Sequence, residues 1–172
     1  MSKALAQLQI ALKELDDLES LVKLKTGGTK GPTKGILVAR RASILLLNAH
    51  FEAYLEDVLD EALAALTSGL NTKTLRRNFT TPRPDNINKF FSLLNIEKIS
   101  TKPSWKKANN VTVRKAIDQL QNTRNAIAHG EPNAKVKISD VKRYRSFVEG
   151  FTNAVDEIVA KRVEEITKTR PW

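Results

Sequence analysis

The sequence predicts an all-α fold, a single-domain bundle of four to five helices, and three observations carry that reading. Apolar residues recur at intervals of three and four through most of the chain, which is the helical period. No window sustains the alternation of period two that a half-buried strand needs. A chain of 172 residues, 41% hydrophobic and 28% charged, can bury a core without disulfides or metals and is too apolar to stay disordered. No internal repeat or break in composition divides it, so one domain is expected over residues 1–172.

The elements follow in order. Leu8, Ala11, Leu15, Leu18 and Val22 predict an amphipathic helix over roughly residues 3–24. The glycine- and lysine-rich stretch 26–35 then stops it. That stretch is no phosphate-binding P-loop, because it lacks the Gly-Lys-Ser/Thr ending and no strand precedes it. Leu47, Phe51, Leu55, Val58 and Ala62 form the inner stripe of a long helix over residues 36–68, with Gly69 as its stop. Residues 70–110 are less regular. Pro82 and Pro84 bracket a turn, Asp85 is expected to cap a short helix reaching Leu94, and residues 96–110 read as loop. Val113, Ala116, Ile117, Leu120 and Ile127 lie inside a helix over residues 112–129, ended by Gly130 and Pro132. Ser139 is expected to cap the last helix, which runs to about Thr167 through Val141, Tyr144, Val148, Phe151, Val155, Ile158 and Ile166.

Composition excludes several chemistries. The absence of cysteine removes disulfides, zinc knuckles, iron–sulfur ligation and thiol nucleophiles, and two histidines leave little for a metal site, so neither metal nor cofactor is expected. The first residues alternate polar with apolar, unlike a signal peptide, and the longest apolar run, the five residues 62–66, falls far short of a membrane span of about 20 residues. A cytoplasmic protein is expected. The net charge of +10 favours a polyanionic partner. Residues 71–130 hold twelve basic side chains against three acids (Asp85, Glu97, Asp118). Residues 20–51 hold six (Lys23, Lys25, Lys30, Lys34, Arg40, Arg41) against none, whereas Glu52, Glu56, Asp57, Asp60 and Glu61 form an acidic block. Together these runs predict one basic side.

The inward stripe of the 112–129 helix steps through Val113, Ile117 and Leu120 and then lands on Arg124. A guanidinium at a core position needs a charged partner or an anion, since an unpaired buried charge is prohibitively costly. Asn125 and His129 are four apart and share a face. The helix C-terminus favours the imidazolium at His129 and a nearby Arg124 disfavours it, so a group with a reference pKa of about 6.5 is expected to titrate near neutrality, where general acids and bases work best. On spacing alone another reading stands: a core arginine salt-bridged within the bundle beside a surface histidine.

The segment Leu120-Gln-Asn-Thr-Arg-Asn-Ala-Ile-Ala-His-Gly130 resembles the signature of the HEPN superfamily in its Arg-Asn-x-x-x-His form. The earlier segment 45–59, Leu-Leu-Leu-Asn-Ala-His-Phe-Glu-Ala-Tyr-Leu-Glu-Asp-Val-Leu, looks like the second helix of the RiboL-PSP-HEPN type. Together they hold 26 of the 172 residues, and residues 70–110 show no resemblance of their own to the family. The resemblance implies a helical bundle that dimerises around its Arg/His motifs to form a metal-independent endoribonuclease. Arg124 would bind the scissile phosphate, His129 would transfer protons, and Asn125 would orient the histidine or the phosphate. Many such proteins act as toxins or abortive-infection effectors, which brings a cognate antitoxin or regulatory protein into view as a partner beside RNA.

RNA carries its own nucleophile, the 2′-hydroxyl, so the protein need only move protons and stabilise charge on phosphorus. The products implied are 2′,3′-cyclic phosphate and 5′-hydroxyl ends. Glu52, beside Asn48 and flanked by Leu45, Leu55 and Leu59, is the candidate partner of Arg124, as a structural counter-ion or within the site. His50 shares a face with Leu46, Leu47 and Tyr54 and reads as a packed histidine; Trp105, among Lys102, Lys106 and Lys107, could stack on a base but reads first as a loop tryptophan tucked onto the core. Two other functions remain open: a non-catalytic domain binding RNA or nucleotides through Arg124, and a structural helical dimer. Retention of both Arg124 and His129 favours catalysis, since binding alone has no need of a titrating imidazole. On an ideal helix these two residues point about 140° apart and lie about 7.5 Å apart along the axis. A two-fold symmetric partner brings the second motif into reach, so a homodimer with the 112–129 helix ends at its interface is expected.

Overall fold

The structure, a computed structural model, describes residues 1–25, 34–67, 79, 81–106, 108–132 and 134–172. Its elements are α1 (Lys3–Lys25), α2 (Lys34–Leu66), α3 (Pro84–Phe91), α4 (Asn110–Ala128) and α5 (Ile138–Thr167), with short 3₁₀ turns at Ser92–Leu94 and Ile99–Thr101. Among the described residues there is no strand, and a single isolated bridge pairs Trp105 with Ala108. The all-α prediction therefore holds. The basic stretch at 26–33, the stop at Gly69, and Lys73, Arg76, Arg77 and Lys107 lie outside the described residues.

The long helix α2 is the central element. Leu47, Phe51, Leu55, Val58 and Ala62, the predicted stripe, are all fully buried. Burying a side chain of this size stabilises by roughly 1.5–3 kcal/mol, so this stripe holds the bundle together. Phe51 meets Phe151 of α5 edge-on, with ring centroids 5.7 Å apart. One turn along, the Tyr54 hydroxyl donates to the Thr152 carbonyl at 2.8 Å. Burial, reinforced by the nearby Asp156 and Glu61 carboxylates, holds that phenol neutral by pushing its pKa well above the ordinary range.

Helix α1 packs Leu5, Leu8, Leu12 and Leu15 into the same core. Two carboxylates receive its N-terminus, where the first amides have no helical acceptors. Glu61 of α2 accepts from the amides of Lys3 and Ala4 at 3.0 and 2.7 Å. Buried Asp156 of α5 accepts from the amide and hydroxyl of Ser2 and, at 3.1 Å, from the indole of Trp172. Both acidic groups stand where the positive end of a helix dipole favours them.

Three predicted boundaries need correction. Asp85 does not cap α3: Arg83 takes that position in extended conformation, Pro84 begins the helix, and Asp85 sits in its first turn. Proline suits that first position because its missing N–H would lack a helical partner there. Ser139 does not cap α5 either. Lys137 is the capping residue, and its backbone N–H donates to Asp140 at 3.0 Å, so an acid inside the first turn reaches back to close the end. The span 96–110 is partly ordered by the turn at Ile99–Thr101, where the Asn88 side chain accepts from the Ser100 amide at 2.9 Å.

Trp105 is tucked onto α5 beside Phe147, as expected of a loop tryptophan. Gly150 makes this possible, because a Cβ there would stand 2.7 Å from the indole ring. Among the described residues no helix is long and apolar enough to cross a membrane.

Candidate active site

Helix α4 carries the motif. Its N-terminus is closed by Asn109, whose side-chain oxygen accepts from the Thr112 amide at 2.9 Å. Val113, Ala116, Ile117, Leu120 and Gln121 form its buried face. Gln121 donates through Nε2 to Asn48 Oδ1, so the buried pair fixes α4 against α2 at one register. Asn48 thus touches α4 at Gln121, three residues before Arg124.

Arg124 continues the inward stripe but lies at the margin of the bundle, where it is half-buried. Its Nη1 donates to Asn125 Oδ1 at 3.2 Å. Among the described residues it closes no ion pair, so the salt-bridged core arginine expected of the purely structural alternative is not what the bundle contains. Glu52 is half-buried and feels Arg124 electrostatically without bonding to it. Burial raises the Glu52 pKa above the ordinary carboxylate value, and the positive charge of Arg124 pulls it partly back.

The helix ends in a left-handed cap. The amide of Gly130, at φ +71°, donates to Ile127 at 3.1 Å, and that of Glu131 donates to Ala126 at 2.9 Å. This is the Schellman arrangement, which ties off the last carbonyls and needs a residue without a Cβ penalty at the turn. The predicted stop at Gly130 holds. His129 is the last residue before the turn and is exposed, and Asn125 lies half-buried one turn earlier on its face. Arg41 of α2 donates through Nε to the Ala134 carbonyl at 3.2 Å, which sets a second guanidinium beside the loop that follows the histidine.

His50 stands apart from this group. It lines a groove of about 110 Å³ between α1 and α2 with Ala4, Gln7, Leu8, Ala11, Tyr54 and Asp57. It faces away from the side of α2 that holds Asn48 and Glu52, as the packed-histidine reading requires.

Sequence reasoning missed one polar row. Asp118, Asn122, Asn125 and His129, at intervals of four, three and four, share the outward side of α4 within about 60° on an ideal helix. Arg83 lies against this row, its Nη2 donating to Asn122 at 2.7 Å and its Nη1 to Asp118 at 3.4 Å. The row was legible from its spacing. The arginine was not, since nothing in residues 70–110 announces a contact 39 positions away.

The RiboL-PSP-HEPN family pattern matches the chain over residues 7–161. The chain belongs to the RiboL-PSP-HEPN family. The match begins within α1, ends within α5 and runs through residues 70–110, which showed no family resemblance of their own. HEPN domains are generally associated with ribonuclease activity. No curated protein and no solved structure matches this HEPN chain.

Proposed function

We propose that this HEPN protein is a metal-independent endoribonuclease whose site is built from Arg124, Asn125 and His129 at the end of α4. The observation that carries the reading is the state of Arg124: a half-buried guanidinium without an ion pair among the described residues, on the same helix five positions before an exposed histidine. Such a cation is ready for an anion, and a phosphodiester is the anion that also gives the imidazole a task.

In this reading Arg124 holds a non-bridging phosphate oxygen and stabilises the charge that builds there as the 2′-oxygen attacks. A base takes the proton from the 2′-hydroxyl, the 2′-oxygen bonds to phosphorus, and the bond from phosphorus to the 5′-oxygen breaks. An acid returns a proton to the departing oxygen. His129 is the proton-transfer group, and one 2′,3′-cyclic phosphate and one 5′-hydroxyl result. Asn125, held by Arg124, orients the phosphate or the imidazole. Asn48 supports the site through Gln121, and Glu52 supplies a nearby negative charge that holds the guanidinium on the α2 side.

The proposed active form is a homodimer. Exposed Val38, Leu45 and Ala49 line the side of α2 next to Glu52 and give the second copy an apolar surface. A lasting dimer with a shared site should bury above roughly 1,000 Å² in total. The single domain, a cytoplasmic location, and a role as a toxin or defence effector held by a cognate antitoxin or regulatory protein belong to the same proposal. The test is to incubate purified protein with structured and single-stranded RNA in EDTA, beside His129→Ala. Cleavage leaving cyclic phosphate ends, lost in the variant, is expected. Activity that needs Mg²⁺ or Mn²⁺ would refute the metal-free mechanism. RNA affinity without any cleavage, unchanged in His129→Ala, would point to the binding domain instead.

A further inference from the structure

The outward row of α4 holds the histidine but no guanidinium of the motif, because Arg124 points into the bundle margin some 140° from His129 on an ideal helix. Arg83 supplies one from outside the motif. It lies between Pro82 and Pro84, whose rings fix the backbone on either side, and it caps α3 in extended conformation. Its guanidinium is anchored at both Asn122 and Asp118. Asn122 precedes Asn125 by one turn and His129 by two, which is about 4.5 Å and about 10.5 Å along the axis. Arg83 therefore stands beside the row, aligned with the histidine but too far along it to reach the same phosphate.

We infer that Arg83 is a specificity-determining residue that grips a neighbouring phosphate of the RNA, one or two nucleotides from the bond cut at His129. The inference rests on the ribonuclease reading above. The Asp118 pair does not oppose it: both side chains are more than a third exposed, at 37% and 45%, and exposed pairs of this kind are weak enough for an incoming phosphate to displace. One turn further back on the same side a second guanidinium, that of Arg114, is likewise held by a partly exposed pair, 3.7 Å from Asp85. The enzyme then follows the strand by its backbone and takes substrates longer than the bond it cuts.

The test uses the full chain and two variants, Arg83→Gln and Asp118→Asn, each checked by circular dichroism. The substrates are an RNA oligonucleotide with one cleaved bond and a dinucleotide containing the same bond. Arg83→Gln should raise KM several-fold on the oligonucleotide and distinctly less on the dinucleotide, which has no neighbouring phosphate. It should also flatten the dependence of log affinity on log salt by about 0.7. Asp118→Asn frees the guanidinium and should lower KM on the oligonucleotide. A brace that merely joins α3 to α4 predicts lower melting temperatures in both variants with KM unmoved. That outcome, or equal losses on the two substrates, would overturn the inference while leaving the ribonuclease reading intact. Wild-type protein that cleaves neither substrate would instead overturn the reading beneath it.

Discussion

The backbone N–H of His129 donates to the carbonyl oxygen of Asn125 at 2.9 Å, so α4 keeps its α-helical winding up to the residue that carries the imidazole. A loosened final turn was the one way for a single helix to swing Arg124 and His129 onto one phosphate. With the turn wound, the two side chains stay about 140° apart on an ideal helix. The intact final turn therefore favours a site in which the arginine of one protomer works with the histidine of the other.

Mixing variants tests this division. Arg124→Ala and His129→Ala proteins, each inactive alone, are unfolded together and refolded so that protomers exchange. A shared site leaves one intact Arg/His combination in each mixed dimer. Random mixing makes about half the dimers mixed, so recovery should reach about a quarter of wild-type activity. No recovery, with exchange confirmed by a tagged protomer, would show that each site draws both residues from one chain.

Taken singly, the variants separate catalysis from stability. His129 is exposed and Arg124 makes no ion pair among the described residues, so both alanine proteins should keep the helical circular dichroism of the wild type. A general acid or base contributes roughly 10²–10⁴-fold, so cleavage in His129→Ala should fall by at least about a hundredfold. A fall under tenfold would remove His129 from proton transfer. An Arg124→Ala protein that unfolds would return the arginine to a structural role.

The two variants touch the parts of the molecule that its sequence made most legible. Val113, Ile117 and Leu120 repeat at the helical period, so the inward direction of Arg124 could be read from them, as could the stop at Gly130. Periodicity gives direction but not depth, and the sequence did not show that Arg124 stands at the bundle margin. The caps of α3 and α5 escaped because they rest on Pro84 and on Asp140 reaching back from inside its helix. The contacts of Arg83 with Asn122 and of Arg41 with Ala134 join residues 39 and 93 positions apart, and no local pattern encodes such pairs.

Glu52 reports on Arg124 through its titration. Burial raises its folded-state pKa and Arg124 lowers it, so removing the cation in Arg124→Ala should move the Glu52 midpoint further up. The sign for stability follows. A carboxylate whose folded pKa lies above its unfolded value contributes stability that is full below the unfolded pKa of 4.5 and is lost as pH rises through the folded value. Glu52→Gln, neutral at every pH, should therefore melt higher than wild type at pH 7, and the difference should shrink towards pH 4. Carboxyl-detected NMR titration and melting curves at the two pH values check both points. A midpoint unmoved by Arg124→Ala would mean that the two charges are not coupled.

The turn that ends α4 can be challenged without touching the motif. Gly130 has φ +71°, and a Cβ built there meets nothing within 4 Å, so alanine at this position brings no clash. What it brings is the left-handed penalty of an L-residue, roughly 1–2 kcal/mol. In a chain of 150–250 residues 1 kcal/mol shifts Tm by about 2–4 °C, so Gly130→Ala should melt about 2–8 °C lower. Asparagine tolerates the left-handed region better, and Gly130→Asn should recover part of the loss. The strain falls on the amides of Gly130 and Glu131, which tie off Ile127 and Ala126, and so on the turn that holds His129 in place. Cleavage should then fall more in the alanine variant than in the asparagine variant, in step with stability. A Gly130→Ala protein that melts like wild type would show that the last turn relaxes freely, and a histidine on a relaxed turn could reach the phosphate of its own Arg124, which removes the need for a site shared between two chains.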